Sequence, residues 1–314
     1  MNRKLVSDSV AVILGFYNGE KYIKDQLESI ISQTHKNLKV FIFDDNSNEG
    51  LHKLKLTLNK KIHPEIKIIK RVSNIGYAKN FLFGLKDVGE KFDYYAFSDQ
   101  DDIWAINKIE LAIKKMNVFK SSKSLLYCSR TAYYTEDCLK EIGSSRIFKK
   151  GPEFKNALIQ NIAGGNTILM NKEARNTIIK TLKKNEFVSH DWWCYQMITA
   201  SGGKVIFDHN KTLKYRQHRH NIIGKNVGFL DKLKRLNSFF SGNYKNWCEI
   251  NIKNLHNNKE LITKQNLKTL FHFTKARKSK NPFEKIIQFY KSGIFRQSKL
   301  ETIFLVLGLL LNKI

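Results

Sequence analysis

The densest chemistry in the sequence is Ser98-Asp99-Gln100-Asp101-Asp102, three carboxylates within four residues directly after the apolar run Tyr94 to Ser98. In a chain of net charge +27 such a concentration of negative charge repels itself unless a cation neutralises it. Oxygen donors on a short loop suit Mg2+ or Mn2+, which keep positions open for substrate phosphates. For any single aspartate the simpler alternative is a turn that caps a helix beginning near Asn107. A second acidic pair, Asp44-Asp45, also closes an apolar run, and Phe16-Tyr17-Asn18 closes a third. One polar strand end is ordinary turn chemistry; three of them imply a site.

The elements that must position these groups follow from hydrophobic spacing. Ser9 to Phe16, Leu38 to Asp45, Ile66 to Arg71 and Tyr94 to Ser98 are short apolar runs of strand length. Between them, Ile23, Leu27, Ile30 and Ile31 repeat at helical spacing, as do Leu51, Leu54, Leu58 and Ile62, and Phe81 to Val88 is also helical. Strands alternating with helices of about ten residues predict βαβ units and a mostly parallel sheet with helices on both faces. Such sheets bind ligands beyond the carboxyl ends of their strands, where the three polar clusters fall.

Composition narrows the classes. The 314 residues are 42% hydrophobic and 12% aromatic, enough for a substantial core and against disorder. The 55 Lys+Arg against 28 Asp+Glu point to a polyanionic partner: nucleic acid, acidic headgroups or a phosphorylated substrate. The alternative reading of that charge and its interleaved aromatics is a basic nucleic-acid-binding protein, but no recognised nucleic-acid module accompanies them, so no nucleic acid is expected. Phosphate-loop and dinucleotide glycine motifs are absent, and no serine sits in a GxSxG context. Cys128, Cys138, Cys194 and Cys248 form no CxxC pair and read as free thiols. The start of the chain lacks a cleavage site and reads as a buried strand rather than a signal peptide. The longest apolar stretch, Ile303 to Leu311, is half the roughly 18 residues of a membrane span.

The order FYNGEKYIKDQLESIISQT, FIFDDNSNEG, NIGYAKNF and FSDQDDIWAINKIE resembles the family 2 glycosyltransferases of GT-A fold. The segments GGNTILMNKEA, HDWW and YRQHRHNIIG are similar to the rhamnosyltransferase branch, and the likeness covers residues 8–225. It implies a GT-A catalytic domain over 1–224 and a basic helical extension over 225–314. It also implies transfer, with inversion, of a sugar from a nucleoside diphosphate. The expected donor is dTDP-L-rhamnose, with UDP-hexoses second, and the expected acceptor is a lipid-linked saccharide of cell-surface polysaccharide synthesis.

The resemblance also assigns roles. Phe16, Tyr17, Asn18, Asp44 and Asp45 match positions around the nucleobase and ribose. Asn74, Gly76, Lys79 and Asn80 match the loop and helix start along the nucleotide. Asp99-Gln100-Asp101 matches the DxD element, with Asp101 on the divalent ion, and Asp102 extends it toward the donor sugar. Arg216 is expected near the diphosphate and His218 as a metal ligand, whereas His220 departs from the family pattern. Gly164-Gly165-Asn166 matches the acceptor-side loop, and Gly202-Gly203 reads as a helix cap. Asp191 matches the base that takes the acceptor's proton. Trp192 and Trp193 beside it would stack on sugar or desolvate the carboxylate, unless Asp191 only caps a helix and the indoles are core.

The tail carries 18 Lys/Arg against 5 Asp/Glu in its 90 residues, interleaved with aromatics and the run KARKSK. It predicts basic helices that associate with an anionic membrane surface, making the protein cytoplasmic and peripheral on the inner face of the cell membrane. The alternative is an appendage packing on the catalytic domain or on a second copy, as a homo-oligomer.

Overall fold

The computed structural model describes residues 8–48, 66–183, 185–218 and 242–314. The helix expected from Leu51, Leu54, Leu58 and Ile62 lies outside the described residues, as do His220 and the expected boundary at 224.

The first strand, β1 (Val10–Phe16), shows why the centre is a sheet covered twice. Val10 to Leu14 have no exposed surface. Ala11 and Ile13 enter one hydrophobic cluster while Val10, Val12 and Leu14 enter the other. Period-two alternation thus sends successive side chains to two separate cores. Beneath lie α1 (Ile23–Ile31) and α3 (Lys108–Asn117), which give Ile23, Leu27, Ile30, Ile109, Ala112 and Met116. Above lie α2 (Tyr77–Asp87), α5 (Lys172–Ile179) and α6 (His190–Ala200).

Strands β2 (Leu38–Asp44), β3 (Ile66–Lys70) and β4 (Tyr94–Ser98) join β1 in parallel in the order β3-β2-β1-β4. Here the parallel expectation holds. Beyond β4 the sheet is mixed: it continues through β8 (Leu169–Asn171), β6 (Leu125–Tyr134), β9 (Lys204–Arg216) and β5 (Ile103–Trp104), with β7 (Glu141–Ser144) on β6. β8 is antiparallel to both its neighbours, and β6 and β9 are parallel. The reason is where β8 starts. It leaves a 3-10 turn, Gly165–Thr167, which lies at the edge where β4 ends, so β8 runs back along β4. A short helix, α4 (Phe154–Ala157), precedes that turn. α2 begins at Tyr77, four residues before the Phe81 expected from periodicity, after Gly76 turns the chain with φ +81°.

Four helices close the chain: α7 (Asn243–Asn257), α8 (Lys264–Lys278), α9 (Pro282–Ser292) and α10 (Lys299–Leu310). Thr263, Asn281 and Ser298 accept the first-turn amides of α8, α9 and α10, and Pro282 opens α9 without a lost donor. Cys248, Leu255, Phe273, Phe289, Leu305 and Leu309 join the cluster that holds Trp193 and Met197 of α6. The tail helices thus share a core with the sheet layer. Gly202, at φ +81° after α6, is the helix end expected of it. All four cysteines are free and buried, and burial pushes the thiols of Cys128, Cys194 and Cys248 up.

Asn171 ties three of these elements. Its Oδ1 accepts from Ala174 N at 3.0 Å as the cap of α5 and from Leu125 N at 2.9 Å, and its Nδ2 donates to Lys123 O at 2.9 Å. Asn171→Ala is expected to destabilise the fold by about 2 kcal/mol. A urea titration would show it as a lower midpoint at unchanged slope.

Candidate active site

Register brings the polar clusters together. Phe16 pairs with Asp44 and Leu14 with Ser98, so the segments after β1, β2 and β4 leave one edge side by side. Asp44 Oδ1 accepts from Ser47 N at 2.9 Å and Ser47 Oγ at 2.6 Å, and Ser47 Oγ in turn receives Asn18 N at 2.9 Å. Asn18 Oδ1 accepts from Asn48 N. Asp45 holds the next segment: its two oxygens take the amides of Ile75 at 2.8 Å and Gly76 at 2.9 Å. Asn74 Oδ1 reaches Gly76 N as well.

The acidic loop is held from several sides. Gln100 clamps the backbone of Tyr17, accepting from its N at 2.8 Å and donating to its O at 3.1 Å. A Cβ on Gly19 would fall 2.2 Å from the Gln100 amide, so a side chain there would displace that clamp. Asn166 Nδ2 donates to Asp102 Oδ2 at 2.7 Å, and the Gln26 amide lies 2.6 Å from Ser98 Oγ. Arg216 Nε donates to the Asp101 carbonyl at 2.9 Å and its Nη2 to Asp25 at 2.8 Å. His218 Nε2 donates to Asp101 Oδ2 at 2.8 Å while its ring stacks on Tyr22 at 4.8 Å.

The loop is electrostatically loaded. Burial, with Asp101 and then Asp191 adding to it, pushes the Asp99 carboxyl up to about 8. Asp102, fully buried, is driven well above the carboxylate range by burial and by Asp101 and Asp99, and its Oδ1 has no partner. Below it, burial lowers Lys108 to about 7, and its Nζ sits 3.7 Å from the centre of the Trp104 ring. A divalent cation fits this chemistry: Asp101 Oδ2 and His218 Nε2 lie 2.8 Å apart, and the buried Oδ1 of the adjacent Asp102 has no partner. Among the described residues no three His, Cys, Asp or Glu side chains are assembled as a ligand cluster.

Asp191 reaches the same place from α6. It lies in the first turn of the helix, Oδ1 accepts from Trp192 N at 2.7 Å, and only 7% of the residue is exposed. His190 beside it is sealed between Phe81, stacked at 4.2 Å, and Phe97, edge-on at 5.0 Å. Neither imidazole nitrogen has a partner, and burial lowers its pKa to about 4. A Cβ on Gly165 would approach His190 Nε2 to 2.5 Å, so glycine is required where the acceptor-side turn crosses α6. Tyr77, which sequence reasoning passed over, packs edge-on to His190 at 6.0 Å. Burial pushes its hydroxyl up to about 12, with Asp191 and Asp99 adding to it.

Several sequence assignments change. Arg216 is turned inward, Nη1 spending itself on the Glu136 carbonyl at 2.5 Å, and the residue is 4% exposed. It clamps the acidic loop and lines a cavity with Lys21, Tyr22, Asp25 and Glu136. Phe16 and Asp44 are buried, and Asn80 donates to Phe43 O at 2.8 Å while accepting from Arg71. With Asp45 and Gln100 they frame the cleft. Trp193 is core, its Nε1 donating to Thr181 Oγ1 at 2.9 Å, and Trp192 Nε1 donates to Ala157 O at 2.7 Å. Neither indole offers a face for stacking on sugar. Tyr17, Asn18, Asn74 and Gly76 are exposed, and Lys79 is half-buried on α2. Lys108, Gln26 and Tyr77 gave no motif signal; a lysine at an apolar helical position was the one hint for Lys108.

Residues 11–180 match the profile of Glycosyl transferase family 2. The chain is 34% identical over 229 residues to the dTDP-rhamnosyl transferase RfbG of Shigella flexneri, covering 70% of this chain and 76% of that one. It is 30% identical over 181 residues to an Escherichia coli protein, the UDP-Glc:alpha-D-GlcNAc-diphosphoundecaprenol beta-1,3-glucosyltransferase WfaP, covering 57% and 67%. Two solved structures share the fold. S. aureus TarS in complex with UDP-GlcNAc gives a TM-score of 0.52 at 16% identity, over 90% of this chain and 79% of that one. The mannosyltransferase PcManGT from Pyrobaculum calidifontis, in complex with GDP-Man and Mn2+, gives 0.52 at 13% identity, over 98% and 86%. The architecture is therefore GT-A.

His190 makes the fold acid-sensitive. Its folded pKa of about 4 lies below the ordinary 6.5, so the stability it contributes is present above pH 6.5 and is lost as pH falls toward 4. Over that window the loss amounts to about 3 kcal/mol. His190→Leu is expected to unfold less steeply between pH 7 and pH 4.5 than the wild type in thermal melts.

Proposed function

The chain belongs to glycosyl transferase family 2 and is a glycosyltransferase, and on that premise we propose that it moves L-rhamnose from dTDP-L-rhamnose to a hydroxyl of a lipid-linked glycan, with inversion. The observation that carries the reading is geometric: a Cβ added at Gly165 would stand 3.4 Å from the Cβ of Asp191 on α6, and the next residue of that turn, Asn166, donates to Asp102 in the loop after β4 at 2.7 Å. The base and the acidic loop, from distant parts of the chain, thus share one intervening turn. The likeness to RfbG supports the sugar, and the name of WfaP supports an acceptor on a lipid diphosphate. A UDP-hexose donor is the second reading, favoured by that same likeness to WfaP.

In this mechanism Asp191 uses its Oδ2, since Oδ1 is engaged with the Trp192 amide. The acceptor oxygen attacks C1 of the sugar as its proton passes to Asp191. The bond from C1 to the diphosphate oxygen breaks, and the nucleoside diphosphate leaves with the electron pair. Asp101 and His218 would hold Mg2+ or Mn2+, which supplies charge neutralisation for that leaving group. Tyr17, Asn18, Asn74, Gly76 and Lys79 line the nucleoside side. Asp102, bonded to Asn166, fixes the Gly164-Gly165-Asn166 turn on the acceptor side. Among the described residues no helix is long and apolar enough to cross a membrane, and the reading places the protein peripherally, at the inner face of the cell membrane.

Calorimetric titration with dTDP-rhamnose, UDP-glucose and UDP-galactose, each with Mn2+ and then with EDTA, tests this directly. Metal-dependent binding of dTDP-rhamnose alone is expected; preference for a UDP-sugar would overturn the donor. Asp101→Asn should weaken metal-dependent donor binding at least about tenfold, and unchanged affinity would remove Asp101 as a ligand. Asp191→Asn should bind donor normally and lose about a thousandfold in turnover, because an amide cannot take the proton.

A further inference from the structure

The last two helices are amphipathic the wrong way round for contact with water. On α9, Phe283, Ile287 and Tyr290 stand at i, i+4 and i+7 and are exposed, while Lys285, Gln288 and Ser292 are buried. The buried lysine is satisfied inside: its Nζ donates to Leu309 O at 2.8 Å and Asn312 Oδ1 at 2.5 Å, at the end of α10. Gln288 accepts from His272 of α8 at 2.8 Å. On α10, Leu300, Ile303, Phe304, Leu307 and Leu311 form one exposed stripe. An apolar surface of this extent marks an interaction face.

The charges around it select the occupant. Residues 264–314 hold eleven Lys and Arg against two Glu. Lys264, Lys268, Lys275 and Lys278 line the exposed side of α8, and Lys280, Lys291 and Lys299 are exposed near the ends of α9 and α10. Both acids are already paired, Glu284 with Lys275 at 2.9 Å and Glu301 with Arg146 and Arg296. A second copy of a chain charged +27 would bring lysines to lysines. An anionic bilayer supplies acyl chains for the apolar stripes and phosphates for the rim.

We propose that the outward faces of α9 and α10, rimmed by the lysines of α8 to α10, dock on an anionic lipid bilayer. This deepens, and rests on, the reading of a transferase that works on a lipid-linked acceptor. The face is tied to the acceptor side of the site. Asn156 Nδ2 donates to Phe295 O at 3.1 Å, Arg296 Nη1 to Ile159 O at 3.2 Å, and Gln297 N to Gln160 Oε1 at 3.0 Å. These partners end four residues before Gly164. The connector between the two helices is therefore fastened next to the turn that the acceptor must reach.

The test is co-sedimentation of the full chain with vesicles of equal parts phosphatidylcholine and phosphatidylglycerol, against phosphatidylcholine alone, without nucleotide. The wild type should pellet with the anionic vesicles. Phe283→Ser, Tyr290→Ser and Phe304→Ser combined, all at exposed positions, should lower that affinity at least about tenfold, as should Lys278→Glu, Lys280→Glu and Lys291→Glu combined. Wild-type affinity in the aromatic variant, or a wild type that ignores anionic vesicles, would overturn the proposal. So would a wild-type dimer in analytical ultracentrifugation that the aromatic variant converts to monomer while vesicle binding is unchanged. Donor binding measured by calorimetry on the same proteins reports folding and keeps the two readings apart. A wild type that binds donor but ignores anionic vesicles sinks the docking face alone, whereas vesicle binding by a wild type that takes no nucleotide sugar sinks the enzymatic reading and leaves the face standing.

Discussion

Three carboxylates crowded into the turn after β4 are the constraint around which the rest of this structure is arranged. Two such charges about 4 Å apart repel by about 4 kcal/mol at the effective dielectric of a protein surface. A single hydrogen bond returns about 1 kcal/mol. One contact cannot hold such a loop in place, and the chain supplies several, from α1, from the segment after β1, from the turn before β8 and from the end of β9. Burial first, and the neighbouring carboxylates after it, raise Asp99 and Asp102. Of these four contacts only the one from Arg216 brings positive charge to the loop.

The parallel half of the sheet was legible because β1, β2 and β4 are continuous apolar runs, which only burial on both faces tolerates. The mixed half was not. β5 has two residues and β8 three, too few for any periodicity to register. The site was legible as a set of places and less so as a set of orientations. Asp101 and His218 are bonded at 2.8 Å, and Asp191 lies against the Gly165 turn. Arg216 and Gln100 sit in motif positions as well, but their side chains turn back to the backbone of neighbouring segments. A motif gives an address along the chain; the direction of a side chain depends on orphaned carbonyls that only the fold creates. Tyr77 and Lys108 were hidden for the opposite reason, each an isolated residue within a segment read for its spacing.

His190 and Gly165 form a second constraint, steric in kind. A neutral imidazole enclosed by Phe81 and Phe97 leaves two unpartnered nitrogens, each costing about 1 to 3 kcal/mol. What it secures is contact: the turn before β8 crosses α6 so closely that no side chain fits between. The acceptor-side turn and the base are thereby fixed to each other through packing, and the Asn166–Asp102 bond fixes that turn to the acidic loop.

The four cysteines have a consequence of a different sort. Each is enclosed, in β6, in the turn that follows it, in α6 or in α7, and burial shifts every thiol away from the thiolate that oxidants and electrophiles attack. Cys128, Cys194 and Cys248 share one hydrophobic cluster and Cys138 is buried in its turn, so all four thiols are shielded in the folded molecule. Thiol-directed reagents reach these sulfurs only when the core opens, so a modified cysteine in this protein is a record of unfolding.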